Sequence, residues 1–201
     1  MNLYLRLFFR LLLACRAPAC TTESSTSARF RVLPSDIDLF GHMNNGRYAQ
    51  IFDVARAEWM LRCGVLGAMR RHRWGAVIGG STIRFRRALT LGQRYEVRTR
   101  LLGWDDRWFY LEHRACTLAG DTVAVGLCRT ALLSGPRWVA TADVVAAVDP
   151  ERSQPALPRA VTDWLRTEAA LCSGAATANA CTSPDPGRAD ARQPVRQVQA
   201  A

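Results

Sequence analysis

Asp36-Ile37-Asp38-Leu39-Phe40-Gly41-His42-Met43-Asn44-Asn45-Gly46-Arg47-Tyr48 is the stretch on which the reading of this chain turns. Its first ten residues carry two carboxylates, an imidazole and two side-chain amides, directly ahead of an apolar segment. Two readings of that polar cluster stay open on spacing alone. One is local structure, with Asn44 or Asn45 capping the following helix and Asp36 or Asp38 fixing the loop. The other is catalysis at a helix entry, where unsatisfied N–H groups and the helix dipole favour developing negative charge.

Downstream, Tyr48, Ile51, Phe52, Ala55 and Trp59 recur at three- and four-residue spacing. This predicts a buried helix from about Asn45 to Arg62, with Gly64 as its stop. The period then changes to two. Tyr95, Val97, Thr99 and Leu101 alternate with Arg94, Glu96, Arg98 and Arg100, which predicts a half-buried strand. A turn at Gly103 to Asp106, a returning strand at Arg107 to Leu118, a turn at Ala119 to Asp121 and a strand at Thr122 to Leu133 follow. An earlier strand over Ala76 to Arg87 would place Ile83 and Phe85 inward and Arg84 and Arg86 outward. One helix followed by an antiparallel meander is an α+β plan.

Five segments are expected. Residues 1–20 are apolar and basic, too short to span a bilayer comfortably, since a spanning helix needs about 20 apolar residues. Arg6 and Arg10 share a helical face that leaves Leu3, Leu7, Phe8 and Leu11 on others, which favours a helix at the membrane interface over a cleaved signal peptide. Residues 21–28 read as a linker and 29–150 as the folded domain. Residues 151–172 hold a short helix in which Val161, Trp164 and Leu165 share a face, and 173–201 read as a disordered tail. The implied location is cytoplasmic and peripheral to the membrane.

Composition removes several function classes. The net charge is +10 and all 27 basic residues are arginine. Without lysine, neither a Walker-type phosphate loop nor a Schiff-base mechanism is available. The arginines are scattered, so nucleic acid is not the expected partner; guanidinium suits phosphate groups generally, and anionic lipid headgroups or a phosphorylated small molecule explain the charge equally well. Seven cysteines without C-x-x-C spacing argue against a disulfide framework or a zinc site. Asp36, Asp38 and His42 lack a second histidine or cysteine at ligand spacing, so no metal is expected. Ser81 and Ser134 have no nucleophile elbow around them.

The pattern D-x-D-x-x-G-H-x-N-N-x-x-Y, followed by a helix, resembles the signature of the 4-hydroxybenzoyl-CoA thioesterase branch of the hotdog-fold acyl-CoA thioesterase superfamily. Arg31–Asp36, Arg62–Gly67 and Glu96–Arg107 are similar to blocks of a membrane-associated mammalian member of that superfamily, so the likeness runs over residues 31–134. The resemblance implies a hotdog fold, in which a curved antiparallel sheet wraps a long central helix. It also implies a homodimer or dimer of dimers with sites at subunit interfaces, an acyl-CoA or acyl-carrier-protein substrate, and no cofactor or metal. By position in the motif, Asp38 matches the family's catalytic carboxylate, as general base or nucleophile. The Asn45 backbone N–H is the expected oxyanion donor and His42 a supporting group. Asn44, Gly46, Tyr48, Arg84 and Arg86 are the expected substrate contacts. The mammalian relative departs from the motif at Gly41, so the alternative is a catalytically weak acyl-CoA-binding or scaffold protein at the membrane surface.

Overall fold

The computed structural model describes residues 3–175. The expected hotdog is present, as an α+β assembly with one long helix lying in a curled antiparallel sheet. The helix is α2 (Asn45–Arg62). The sheet contains β1 (Thr26–Arg31), β2 (Trp74–Phe85), β3 (Arg94–Trp104), β4 (Phe109–Thr117), β5 (Thr122–Ser134) and β6 (Arg137–Trp138). Its order is β1-β3-β4-β5-β2, with the short β6 pairing to β5.

Helix α2 is apolar on more than one side because it is covered on more than one side. Ile51, Phe52, Ala55 and Trp59 are at most 4% exposed, and so is Val54. Each such side chain contributes roughly 1.5–3 kcal/mol through burial. Gly126 in β5 makes the close approach feasible: a Cβ there would come within 2.7 Å of the Phe52 ring. Strand β3 alternates as expected, with Tyr95, Val97, Thr99 and Leu101 buried. It runs on to Trp104, two residues into the expected turn, through an irregularity between Leu101 and Gly103.

Strand β2 departs from expectation. It does not alternate: Phe85 is 41% exposed rather than turned into the core, and the register against β5 shifts between Ile78 and Gly80. Edge position alone does not cause this, since β1 at the other edge alternates cleanly; β2 differs by the irregularity between Ile78 and Gly80, which interrupts the two-residue repeat. Three short elements carried no clear periodicity and were not anticipated. They are the helices α3 (Val65–His72) and α4 (Thr141–Val148), and strand β6. Strand β1 begins at Thr26, inside the expected linker, and its pairing with β3 buries Thr26 and Ala28. Helix α5 (Arg159–Ala175) buries Val161 and half-buries Trp164 and Leu165, on the face expected. It reaches Ala175, and the rest of the expected 173–201 tail lies outside the described residues.

The N-terminal helix α1 (Leu3–Ala14) carries Arg6 and Arg10 on one face, as their spacing predicts. Its arginine face turns inward. Arg6 ion-pairs with Asp36, both nearly fully buried, and Arg10 donates from Nε to Glu58 at 2.8 Å. Leu3 and Leu7 pack on the core, while Tyr4, Leu5, Phe8, Phe9, Leu12 and Leu13 are 43–67% exposed. The cause is electrostatic: two buried carboxylates need cations, and an unpaired buried charge costs several kcal/mol. Among the described residues, no helix is long and apolar enough to cross a membrane.

Candidate active site

The loop from Asp36 to Asn44 is a small hairpin set against the N-terminal end of α2. Asn44 N–H donates to the Asp36 carbonyl at 2.8 Å, Ile37 and Met43 bridge, and Asp38 N–H donates to the His42 carbonyl at 2.9 Å. Its tip is a tight turn closed by Gly41 N–H to the Asp38 carbonyl at 3.1 Å, and Gly41 sits at φ +77°. A left-handed residue is required there, which accounts for glycine in the motif. The hairpin is sewn to the sheet by Met43 N–H to the Leu89 carbonyl and by the bridge between His42 and Thr90.

The two aspartates separate cleanly. Asp36 is 2% exposed, pairs with Arg6, and accepts the Leu33 N–H at 2.9 Å, with Arg47 Nε at 3.8 Å. Asp38 is half-buried. One of its oxygens, Oδ1, accepts the Phe40 N–H at 2.9 Å, and the side chain lines an open cleft of about 560 Å³. His42 and Asn45 line the same cleft. The His42 ring forms no hydrogen bond to Asp38 and is exposed.

Asn44 is the N-cap of α2. Its side-chain oxygen accepts the Gly46 N–H at 2.8 Å, so that donor is already used. The Asn45 N–H, first in the helix, has no protein acceptor among the described residues. A free N–H at a helix N-terminus, beside a carboxylate and in a cleft, can stabilise an oxyanion. Tyr48 closes the floor, packed edge-on against Phe85 at 5.2 Å between ring centres. Burial pushes its hydroxyl up to about 12, against the opposing pull of a backbone bond at Leu89, so it stays a neutral phenol.

The arginines sort by position. Arg86 and Arg87 line the cleft, while Arg84, on exposed β2, does not. Arg98 and Arg100 lie on the outer sheet face, paired to Glu96 and Glu112. The aromatic side chains Trp104, Trp108 and Tyr110 are used in packing. Trp104 is buried in an apolar cluster, Trp108 stacks edge-on with Trp138, and Tyr110 donates to Asp105 at 2.6 Å. No cluster of metal-ligating side chains occurs among the described residues.

Two features escaped sequence reasoning. Leu39 and Phe40, at the hairpin tip, are 102% and 83% exposed, and Phe40 lines the cleft. At the opposite end of α2 lies a narrow, mainly apolar pocket lined by Trp59, Met60, Leu111, Leu132, Val144 and Val145, among others. Its roof is α4, an element without a sequence signal strong enough to place.

Comparison with known proteins bears on this geometry. Residues 32–165 match the thioesterase-like superfamily. The protein THEM6 of Danio rerio is 43% identical over 106 residues, which is 52% of this chain and 52% of that protein. An L-carnitine dehydrogenase/betainyl-CoA thioesterase of Agrobacterium fabrum is 33% identical over 90 residues, 45% of this chain and 19% of that protein. The crystal structure of YbaW, a probable thioesterase from Escherichia coli, superposes with TM-score 0.57 at 19% identity. It covers 61% of this chain and 96% of its own. The chain therefore spans about half the length of the THEM6 relative it matches.

Proposed function

Because this chain belongs to the thioesterase-like superfamily, we propose that it hydrolyses acyl thioesters, with Asp38 as the reacting carboxylate. The observation that carries this reading is the pairing of Asp38 with the unused Asn45 N–H in one cleft. A thioester seated there would direct its carbonyl oxygen at Asn45 N–H. Asp38 then either takes a proton from an attacking water or attacks the carbonyl itself. On the base route, collapse of the tetrahedral adduct releases the thiolate, which picks up the proton, and leaves a carboxylic acid. On the nucleophile route it leaves an acyl–Asp38 anhydride, which water then opens to the acid, the proton released going to the thiolate. His42, which lines the same cleft, would orient water or the leaving group. Arg86 and Arg87 at the cleft supply cations for the phosphates of a coenzyme A or carrier-protein pantetheine arm.

A homodimer completes this reading. Edge strand β2 is unpaired on one side within the described chain, and Ile78, Phe85, Leu39 and Phe40 are exposed beside it. A second copy pairing along β2 would cover those side chains and wall the cleft. The outward apolar face of α1, on a chain of net charge +10, supports peripheral contact with anionic lipid.

The test is thiol release from a panel of acyl-CoAs, aromatic through long-chain, by the full chain and by Asp38→Ala. Deleting residues 1–20 would remove Arg6 from buried Asp36 and Arg10 from buried Glu58, so the full chain is the appropriate material. Turnover that disappears in Asp38→Ala supports the proposal. Equal turnover in the variant overturns the mechanism, and tight acyl-CoA binding without turnover selects the binding-protein alternative.

A further inference from the structure

The arm that joins α1 to β1 crosses the C-terminal end of α2 and is pinned on both sides of one contact. Cys20 N–H donates to the Arg62 carbonyl at 3.1 Å, and Arg62 Nε donates to the Pro18 carbonyl at 3.2 Å. Beyond Thr21, Thr22 donates from its N–H and hydroxyl to Asp149 Oδ2 at 3.2 and 2.7 Å. Between these anchors the Cys20 and Cys63 sulfurs lie 3.1 Å apart, and both thiols are free. A disulfide bond measures about 2.05 Å, so closure asks for a movement of about 1 Å.

We propose that Cys20 and Cys63 are an oxidative cross-linking site, forming an intrachain disulfide that staples the α1 arm to the end of α2. The exposures assign the order of events. Cys20 is partly exposed and meets the oxidant, while Cys63 is 5% exposed behind it. Burial pushes the Cys63 thiol well up from its ordinary value, so it waits as a protonated partner, within 3.3 Å of the Thr21 carbonyl. With a hydroperoxide as oxidant, the Cys20 thiolate attacks the O–O bond. This gives a sulfenic acid and the alcohol, or water when the oxidant is hydrogen peroxide. Cys63 sulfur then attacks the sulfenic sulfur, the S–S bond forms, and hydroxide leaves with the Cys63 proton as water. Two electrons pass from the two thiols to one peroxide. Cys116 and Cys128 are buried elsewhere, and exposed Cys15 lies outside this contact.

The consequence concerns α1. Arg6 and Arg10 dock that helix onto Asp36 and Glu58, and the cross-link would fix the arm's far end to the same helix that carries Glu58. Oxidised protein holds α1 in place more firmly than reduced protein. The proposal is independent of the thioesterase reading.

The experiment treats the full chain with hydrogen peroxide, blocks residual thiols with iodoacetamide, and digests with trypsin without reductant. Cleavage after Arg16, Arg29, Arg62 and Arg70 puts Cys20 in residues 17–29, Cys63 in 63–70 and Cys15 in 11–16. The expected product is 17–29 joined to 63–70, dissociating on reduction. The melting temperature should rise by about 5–10 °C on oxidation, and this rise should vanish in Cys20→Ser. Alkylated Cys20 after oxidation, Cys20 linked to Cys15 or to another chain, or a linked product with no shift in melting each overturns the proposal. Cys20→Ser changes a partly exposed site, so the control does not depend on tolerance of a change at buried Cys63.

Discussion

Asp36 and Asp38 stand two residues apart on one hairpin and occupy opposite environments. Asp36 faces the interior, where Arg6 and the Leu33 N–H satisfy it and solvent does not reach. Asp38 faces the cleft, where among the described residues only Phe40 N–H is bonded to its side chain and His42 and Asn45 stand nearby. The same division separates two histidines. His113 is buried between sheet and α2, 3.0 Å from Thr99 and stacked on Phe52, while His42 is open at the cleft. Buried, fully partnered groups set stability, whereas exposed groups with spare bonding capacity are the ones available for chemistry.

The largest expected effect falls on the open side. Asp38→Asn should lower acyl-thioester hydrolysis by about 10²–10⁴-fold, the range of a positioned acid or base. Thermal unfolding should barely move, because exposed substitutions usually change stability by less than about 0.5 kcal/mol. A large loss of stability in this variant would break the division between the two aspartates.

Asp36→Ala inverts that result. It leaves the Arg6 guanidinium buried without its carboxylate, which costs about 3–5 kcal/mol in urea unfolding. The double variant Arg6→Met, Asp36→Leu sharpens the comparison, since replacing a buried pair by apolar groups is often neutral. Recovery of stability in the double variant would identify the cost with the stranded charge.

His113 provides a pH test of the interior. Burial, and then the Arg56 charge, hold its imidazole down to about 3 in the folded protein, against 6.5 for the free group. The unfolded chain therefore binds a proton below pH 6.5 that the folded chain refuses until far lower pH. The neutral ring's stability is complete above pH 6.5 and declines as pH falls toward 3. This one group should remove about 2 kcal/mol between pH 7 and pH 5. His113→Gln should flatten that slope in urea titrations, and an unchanged slope would show that the ring is not held neutral.

Helix α2 and strand β3 were legible because their periods report a fixed relation to a single core. Phe52 and Trp59 recur with the helical repeat, and Val97 and Thr99 alternate into the sheet. Strand β2 was placed by its residues, but its facing was not, because the register irregularity between Ile78 and Gly80 interrupts the alternation and no residue pattern announces it. The hairpin's chemistry was visible as a cluster, yet spacing alone left Asp36 and Asp38 equivalent. What distinguishes them is Arg6, thirty residues away, and nothing local in the sequence announces that partner. For the same reason the inward facing of the α1 arginines was not legible: an arginine stripe on an apolar helix looks solvent-facing until its buried carboxylates are known. Arg86 and Arg84 likewise differ only through where β2 ends.

Asn44 sits at the seam between the two environments, and its effect should be the smallest. Its side chain caps α2 by accepting the Gly46 N–H, so Asn44→Ala should cost about 1 kcal/mol, and Asn44→Gly only a few tenths. Urea unfolding of both variants checks this order. Kinetics then ask which donor meets the substrate. If Asn45 N–H is the oxyanion donor, uncapping Gly46 frees a second N–H without removing the first, and kcat should not fall with the loss of stability. A kcat decline matching that of Asp38→Asn would instead make the Asn44 amide itself part of the reacting site, and would move the boundary between the closed and open sides of the hairpin by one residue.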